Sequence, residues 1–112
     1  MTIEIQDQQG VLVARLTGRI DSTTAVETQT SLLQKVEGSG LKVVLDLGAV
    51  EYVSSAGLRT ILAVAKKIQS SQGQVVAAAM QDQVREIFEI AGFDAIIKPH
   101  ADVASAVAAL RA

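Results

Sequence analysis

Two short, almost uninterrupted apolar runs constrain this chain more than any other feature. Leu41 to Leu47 is apolar apart from Lys42 and Asp46, and Gln74 to Met80 is apolar after its first residue. Continuous apolar runs of this length, bounded by turn residues, read as strands covered on both faces. Between them Ser54 and Ser55 open a segment with helical periodicity. Leu58, Ile61, Leu62, Ala65 and Ile68 make its apolar face, and Arg59, Lys66, Lys67 and Ser70 fall largely on the other side. Ser71-Gln72-Gly73 closes this helix, and Gly48 to Val53 is expected to be a connecting loop before it.

The flanking segments extend the pattern. Ile3, Ile5 and Asp7 alternate with Glu4 and Gln6, Gln8-Gln9-Gly10 reads as a turn, and Val11 to Thr17 is a second β-rich run that Gly18 ends. This is the signature of an antiparallel hairpin. Asp21-Ser22-Thr23-Thr24 supplies capping residues for a helix with Val26, Thr30, Leu33 and Val36, together with Leu32, expected inward; Gly38-Ser39-Gly40 stops it. After the second buried strand, Gln81-Asp82 caps a third helix with Val84, Ile87, Phe88 and Ala91 inward, and Gly92 ends it. Phe93 to Ile97 is expected as a short last strand stopped by Pro99. Asp102 then caps an Ala-rich helix facing Val103, Val107 and Leu110 inward. A hairpin followed by alternating helices and strands predicts an α/β fold: a mixed central β-sheet with about four helices packed on it, in a single domain spanning residues 1–112.

Composition removes several functions. The chain has no cysteine, which excludes thiol chemistry, disulfides and zinc knuckles, and fits a reducing cytoplasmic setting. Its net charge is -2 and its only adjacent basic pair is Lys66-Lys67, so nothing attracts nucleic acid or anionic lipid. Tyr52, Phe88 and Phe93 are the only aromatic residues, too few for base stacking. The first residues lack the basic and apolar regions of a secretory signal, and no apolar run has the length of a bilayer span. A cytoplasmic chain without direct membrane insertion is expected, monomeric when free.

Catalytic inventories are equally thin. There is one histidine, His100, beside Pro99. The serines lack the G-x-S-x-G setting of a nucleophile elbow, and neither a Walker A loop nor G-x-G-x-x-G occurs. Gly38-Ser39-Gly40 follows a helix and precedes a strand, the wrong order for a phosphate cradle. No metal or cofactor is called for, and no enzymatic activity is expected. Asp46 leaves two readings open: a hydrogen-bonded carboxylate that fixes the following loop, or part of a binding surface.

The informative stretch is Val43 to Arg59: a buried strand, a loop, then Ser54-Ser55-Ala56-Gly57-Leu58-Arg59 at a helix start. A serine at an N-cap is worth about 1 kcal/mol. Gly57 in the first turn lowers helix propensity by up to about 1 kcal/mol relative to Ala, which marks a place where another backbone or a partner comes close. Arg59 is open to two uses, pairing with a partner carboxylate or standing as a solvated first-turn charge.

These residues resemble the STAS family, in particular its stand-alone anti-sigma factor antagonists. The resemblance rests on Ser54 to Arg59, on Leu16-Thr17-Gly18-Arg19-Ile20-Asp21, on Leu45-Asp46-Leu47, and on Val84 to Ile90 with Ala91-Gly92-Phe93. The four stretches occur in the family's order and cover essentially the full chain. The resemblance implies a phosphate acceptor two positions before the glycine, hence Ser55, with Ser54 the second choice. Ser54 stands where the better-studied members have Asp, and Ala56 where they have Ser or Thr. It further implies a partner-switching cycle. The unmodified protein binds an anti-sigma factor that is a serine kinase and so frees the sigma factor. Phosphorylation of Ser55 ends the complex, and a PP2C-type, metal-dependent serine phosphatase restores the binder. The expected contact surface comprises Asp21, Ser22, Thr23, Glu51, Tyr52, Ser54, Ser55, Ala56, Gly57 and Arg59, placed together at one end of the sheet by the fold.

Other uses of such a domain compete with this one. It would also serve as the small subunit of a membrane lipid-transport ABC complex, without phosphorylation, or as a piece of a stress-sensing scaffold. A hydrolase built on Ser55 is disfavoured by the lone His100.

Overall fold

Val11 to Ile20 (β2) sits at the second place of a five-stranded sheet. The computed structural model describes residues 1–112. Thr2–Gln8 (β1) pairs antiparallel with β2 through a two-residue turn at Gln9-Gly10, both with positive φ. This is the twist-matched hairpin turn expected of so short a connection. Lys42–Val53 (β3), Gln74–Ala78 (β4) and Lys98–His100 (β5) then add in chain order, all parallel.

Ala25–Lys35 (α1), Ser55–Ser70 (α2) and Asp82–Ile90 (α3) are the crossovers between successive parallel strands. Strands added in one direction by right-handed crossovers put all their helices on one face. The larger core lies there: Ala14, Leu16, Val43, Leu45 and Ala77 of the sheet meet Leu32, Ile61 and Phe88 of the helices. Phe88 is fully buried and meets Phe93 edge-on, the ring centroids 6.0 Å apart. Val103–Arg111 (α4) covers the other face, where Val11, Val13, Val44, Val76 and Ala78 meet Ala106, Val107 and Leu110. The Asp102 side chain accepts a 2.7 Å bond from the Ser105 amide at the start of α4, the expected cap. At its far end the Arg111 guanidinium donates to the Gln9 side chain on the hairpin turn.

The mixed α/β sheet with four helices is the expected one, and four local expectations are corrected. First, neither β2 nor β3 stops where glycine suggested. β2 runs through Gly18 to Ile20, and β3 runs through Gly48 to Val53, so the expected loop is strand. Each extension gives the other a partner, from Thr17↔Ala49 to Ile20↔Val53, and two register slips absorb the irregular lengths. Second, α1 buries only part of the expected face: Leu32 and Val36 point inward as expected and Leu33 is half-buried, but Ala25 and Thr28 take the places expected for Val26 and Thr30. Ala25, Thr28, Leu32 and the capping Val36 are buried, whereas Val26 is 78% exposed and Thr30 is exposed. The Thr60 hydroxyl of α2 donates to the Ala25 carbonyl, and small residues at that crossing let the two helices approach. Third, Phe93 to Ile97 is no strand. Phe93–Ala95 is a 3-10 turn, and the last strand includes Pro99. β5 is an edge strand, where a proline's missing N–H leaves no sheet bond unmade. Fourth, β4 ends at Ala78 rather than Met80, and Ala91 is the exposed cap of α3.

Candidate functional site

The carboxyl ends of β2 and β3 lie side by side, and the segments that leave them form one surface. The Ser54 amide donates to the Ile20 carbonyl at 2.9 Å, tying the start of α2 to the end of β2. Gly57 makes this junction possible. A Cβ at position 57 would press into the Ile20 carbonyl oxygen and come within 2.9 Å of its Cγ2. The glycine is therefore buried; it admits the neighbouring backbone of this chain and is not itself open to a partner.

The two serines have different surroundings. Ser54 is the N-cap of α2 in an extended conformation, half-buried, and its Oγ accepts from the Gly57 amide at 3.1 Å. Its hydroxyl oxygen is committed to one of the orphan donors of the helix. Ser55 is the first helical residue, exposed, and its hydroxyl makes no hydrogen bond within the protein.

Asp21 organises the neighbouring loop. Its Oδ1 accepts from the Thr23 amide at 3.0 Å, from the Thr23 hydroxyl at 2.7 Å and from the Thr24 amide at 3.3 Å. The Thr23 hydroxyl, followed by its amide, holds the Asp21 carboxyl below the usual aspartate value. The Thr24 hydroxyl donates to the Arg19 carbonyl at 2.9 Å and closes the turn. Arg19 lies with its guanidinium 4.4 Å from the centre of the Tyr52 ring and 3.9 Å from Asp21 Oδ2. An acidic group, a cation and an aromatic ring thus form one continuous rim.

Residues 2–106 match the family model described as the STAS domain. The chain belongs to the STAS domain family. This STAS domain is 40% identical over 109 residues to BtrV of Bordetella bronchiseptica, which is described as a candidate anti-sigma factor antagonist; the match covers 97% of this chain and 93% of BtrV. It is 36% identical over 78 residues to RsfB of Mycobacterium tuberculosis, an anti-sigma-F factor antagonist, covering 69% of this chain and 64% of RsfB. The crystal structure of an anti-sigma factor antagonist from Mycobacterium paratuberculosis superposes with a TM-score of 0.89 at 28% identity, covering 99% of this chain and 94% of that one.

The STAS fold brings together the sequence-derived surface residues. Asp21, Ser22 and Thr23 follow β2, Glu51 and Tyr52 end β3, and Ser54, Ser55, Ala56 and Arg59 begin α2. Glu51, Ser22, Thr23, Ser55 and Arg59 are exposed, and Ala56 is half-buried. Arg59 enters no ion pair within the chain; the pairs present are Arg19–Asp21 and Arg85–Glu89. Asp46 accepts from the Gly48 amide at 3.1 Å, the local bond that one reading of the sequence required, but the segment it fixes is strand rather than the expected loop. His100 lies on β5, beyond β4 from β3, and bonds neither serine. No group of three His, Cys, Asp or Glu side chains is placed to hold a metal, and no helix is long and apolar enough to cross a membrane. A concavity of about 490 Å³ lies between the C-terminal parts of α1 and α2, lined by Leu33, Val36, Lys67 and Ile68. It belongs to the opposite end of α2 from Ser55.

Sequence reasoning did not find the Arg19–Tyr52 contact or the exposure of Val26. The first joins residues 33 positions apart whose meeting depends on a register slip between Gly18 and Arg19. The second was hidden because two stripes on α1 carry apolar residues.

Proposed function

We propose that this STAS domain is an anti-sigma factor antagonist that works by partner switching. Its unmodified form binds an anti-sigma factor that is also a serine kinase, and so releases the sigma factor. Transfer of a phosphoryl group to the Ser55 oxygen ends the complex, and a PP2C-type serine phosphatase removes the phosphate. ATP and the catalytic groups belong to the partner. The named relatives support antagonism as the activity. The single observation that carries the choice of residue is the contrast between the serines: Ser54 Oγ is spent on the Gly57 amide, while Ser55 offers an exposed hydroxyl free of internal bonds.

The physics of the switch follows from that position. A phosphate adds about -1.5 to -2 charge at neutral pH. At the first turn of α2 the free domain tolerates it, because the helix dipole and unpaired amides favour an anion. Little refolding is therefore expected. The cost falls on the complex, where a phosphate loses water against the partner's surface. Asp21, the Arg19–Tyr52 rim, Glu51 and Arg59 surround the same region and supply charges for recognition.

The test is an intact-mass spectrum after incubation with ATP and a candidate kinase. Wild type should gain one phosphate, Ser54→Ala should also gain it, and Ser55→Ala should gain none. Phosphate on Ser55→Ala, or none on wild type beside an active kinase, contradicts the assignment. The second of these outcomes favours a STAS subunit that meets its partner unphosphorylated.

A further inference from the structure

The upper part of β3 is paired on one side only. Its pairing with β4 stops at Asp46↔Ala78, whereas its pairing with β2 continues to Val53. β4 leaves the sheet at Ala79, which adopts φ +61°, a left-handed conformation that costs a residue with a Cβ on the order of 1 kcal/mol. That turn packs against Gly48, where an added Cβ would come within 3.3 Å of the Ala79 Cβ. From Gly48 to Val53 the edge of β3 has lost its neighbouring strand, although this segment leads straight into Ser54 and Ser55.

Two glutamine side chains occupy the gap. Gln81 Nε2 donates to the Gly48 carbonyl at 3.1 Å. Gln83 Nε2 donates to the Glu51 carbonyl at 3.4 Å and to Gln81 Oε1 at 2.8 Å. The three bonds form a connected ladder along the unpaired edge, taking two main-chain acceptors that β4 would otherwise have neighboured. The ladder is built from the first turn of α3 and its cap, so it links α3 to the strand that presents the serines.

We infer that Gln81 and Gln83 are positioning residues: their side chains stand in for the missing strand and hold the Gly48–Val53 segment in the extended form that presents Ser55. The consequence for partner binding rests on the function proposed above; the effect on the free domain does not. With the ladder intact, the serine-bearing junction is fixed from both sides, by Ile20 on β2 and by α3 on the other edge. Without it, the segment opens more often, and a partner must order it on binding.

The experiment compares amide hydrogen exchange of the free protein with that of Gln81→Met/Gln83→Met, which keeps side-chain length and removes every donor. Exchange should speed by about fivefold in peptides spanning residues 48–55 and stay unchanged in the β1–β2 hairpin, the difference one or two net hydrogen bonds would make. Gln83→Lys alone, which retains a donor for the Glu51 carbonyl, should exchange there as wild type does. Equal exchange in the double variant and wild type overturns the inference, as does an equal increase in the hairpin, which would signal global loosening. With the anti-sigma factor kinase, the unphosphorylated double variant should bind about fivefold more weakly. Unchanged affinity overturns the positioning role. Failure of wild type to bind or be phosphorylated would instead refute the proposed function, and the exchange result would still decide what the ladder does.

Discussion

The two halves of β3 are opposites. From Lys42 to Asp46 the strand is paired on both sides and covered on both faces, with Val43, Val44 and Leu45 essentially inaccessible. From Gly48 to Val53 it has one strand partner, three exposed residues in Gly48, Glu51 and Tyr52, and a glutamine ladder on its free edge. The first half holds the fold together; the second carries Ser54 and Ser55 out to the surface. A strand that outruns its neighbour on one side thereby gains a firmly rooted base and an accessible tip.

The contrast can be tested from its strongest point downward. Leu45→Ala removes a fully packed side chain between the helices and the sheet and should cost about 3 kcal/mol of stability, read by urea unfolding. A loss below about 1 kcal/mol would mean that the lower half is less tightly built than its burial indicates. Gly57→Ala places a methyl against the Ile20 carbonyl and should cost about 2 kcal/mol. Its exchange increase should concentrate at residues 20–24 and 53–60, unlike the global effect of Leu45→Ala.

The serine pair sharpens the comparison further. Ser54→Ala loses the bond to the Gly57 amide and should cost about 1 kcal/mol. Ser55→Ala should change stability by less than about 0.5 kcal/mol, because the hydroxyl has no partner to lose. Thermal melts that reverse this order would reverse the roles given to the two hydroxyls.

The smallest effect is electrostatic. The Asp21 carboxyl is held below its ordinary value by the Thr23 hydroxyl and amide. A depressed carboxyl contributes stability above its unfolded value and loses it as pH falls through the folded one. Wild type should therefore exceed Asp21→Asn in melting temperature at neutral pH, and the gap should shrink as the pH drops below about 4. A gap that widens in acid would mean that the loop does not favour the charged form.

Much of this molecule was legible in its residues, where local chemistry decides structure. The hairpin turn expected at Gln8-Gln9-Gly10 and formed by its last two residues, the helix start at Ser54-Ser55 and the cap at Asp102 all follow from short-range signals. The length of β3 was not legible. Gly48 carries a turn signal, and only the simultaneous extension of β2 through Gly18 overrides it. Part of the inward face of α1 was hidden for a similar reason: the fit of Ala25 against Thr60 on α2 selects Thr28 over Val26. The serines and the Asp21 loop were identifiable as parts of one surface. Arg19 over Tyr52, and Gln81 and Gln83 on the edge of β3, depend on contacts between distant segments and leave no local trace.

The most direct test of the proposed switch is a calorimetric titration of a candidate anti-sigma factor kinase with unmodified protein and with protein carrying phosphate at Ser55 alone. An affinity drop of about 100- to 1,000-fold is expected, equivalent to roughly 3 to 4 kcal/mol, with the free domain's fold unchanged. Equal affinity of the two forms would contradict a switch at Ser55.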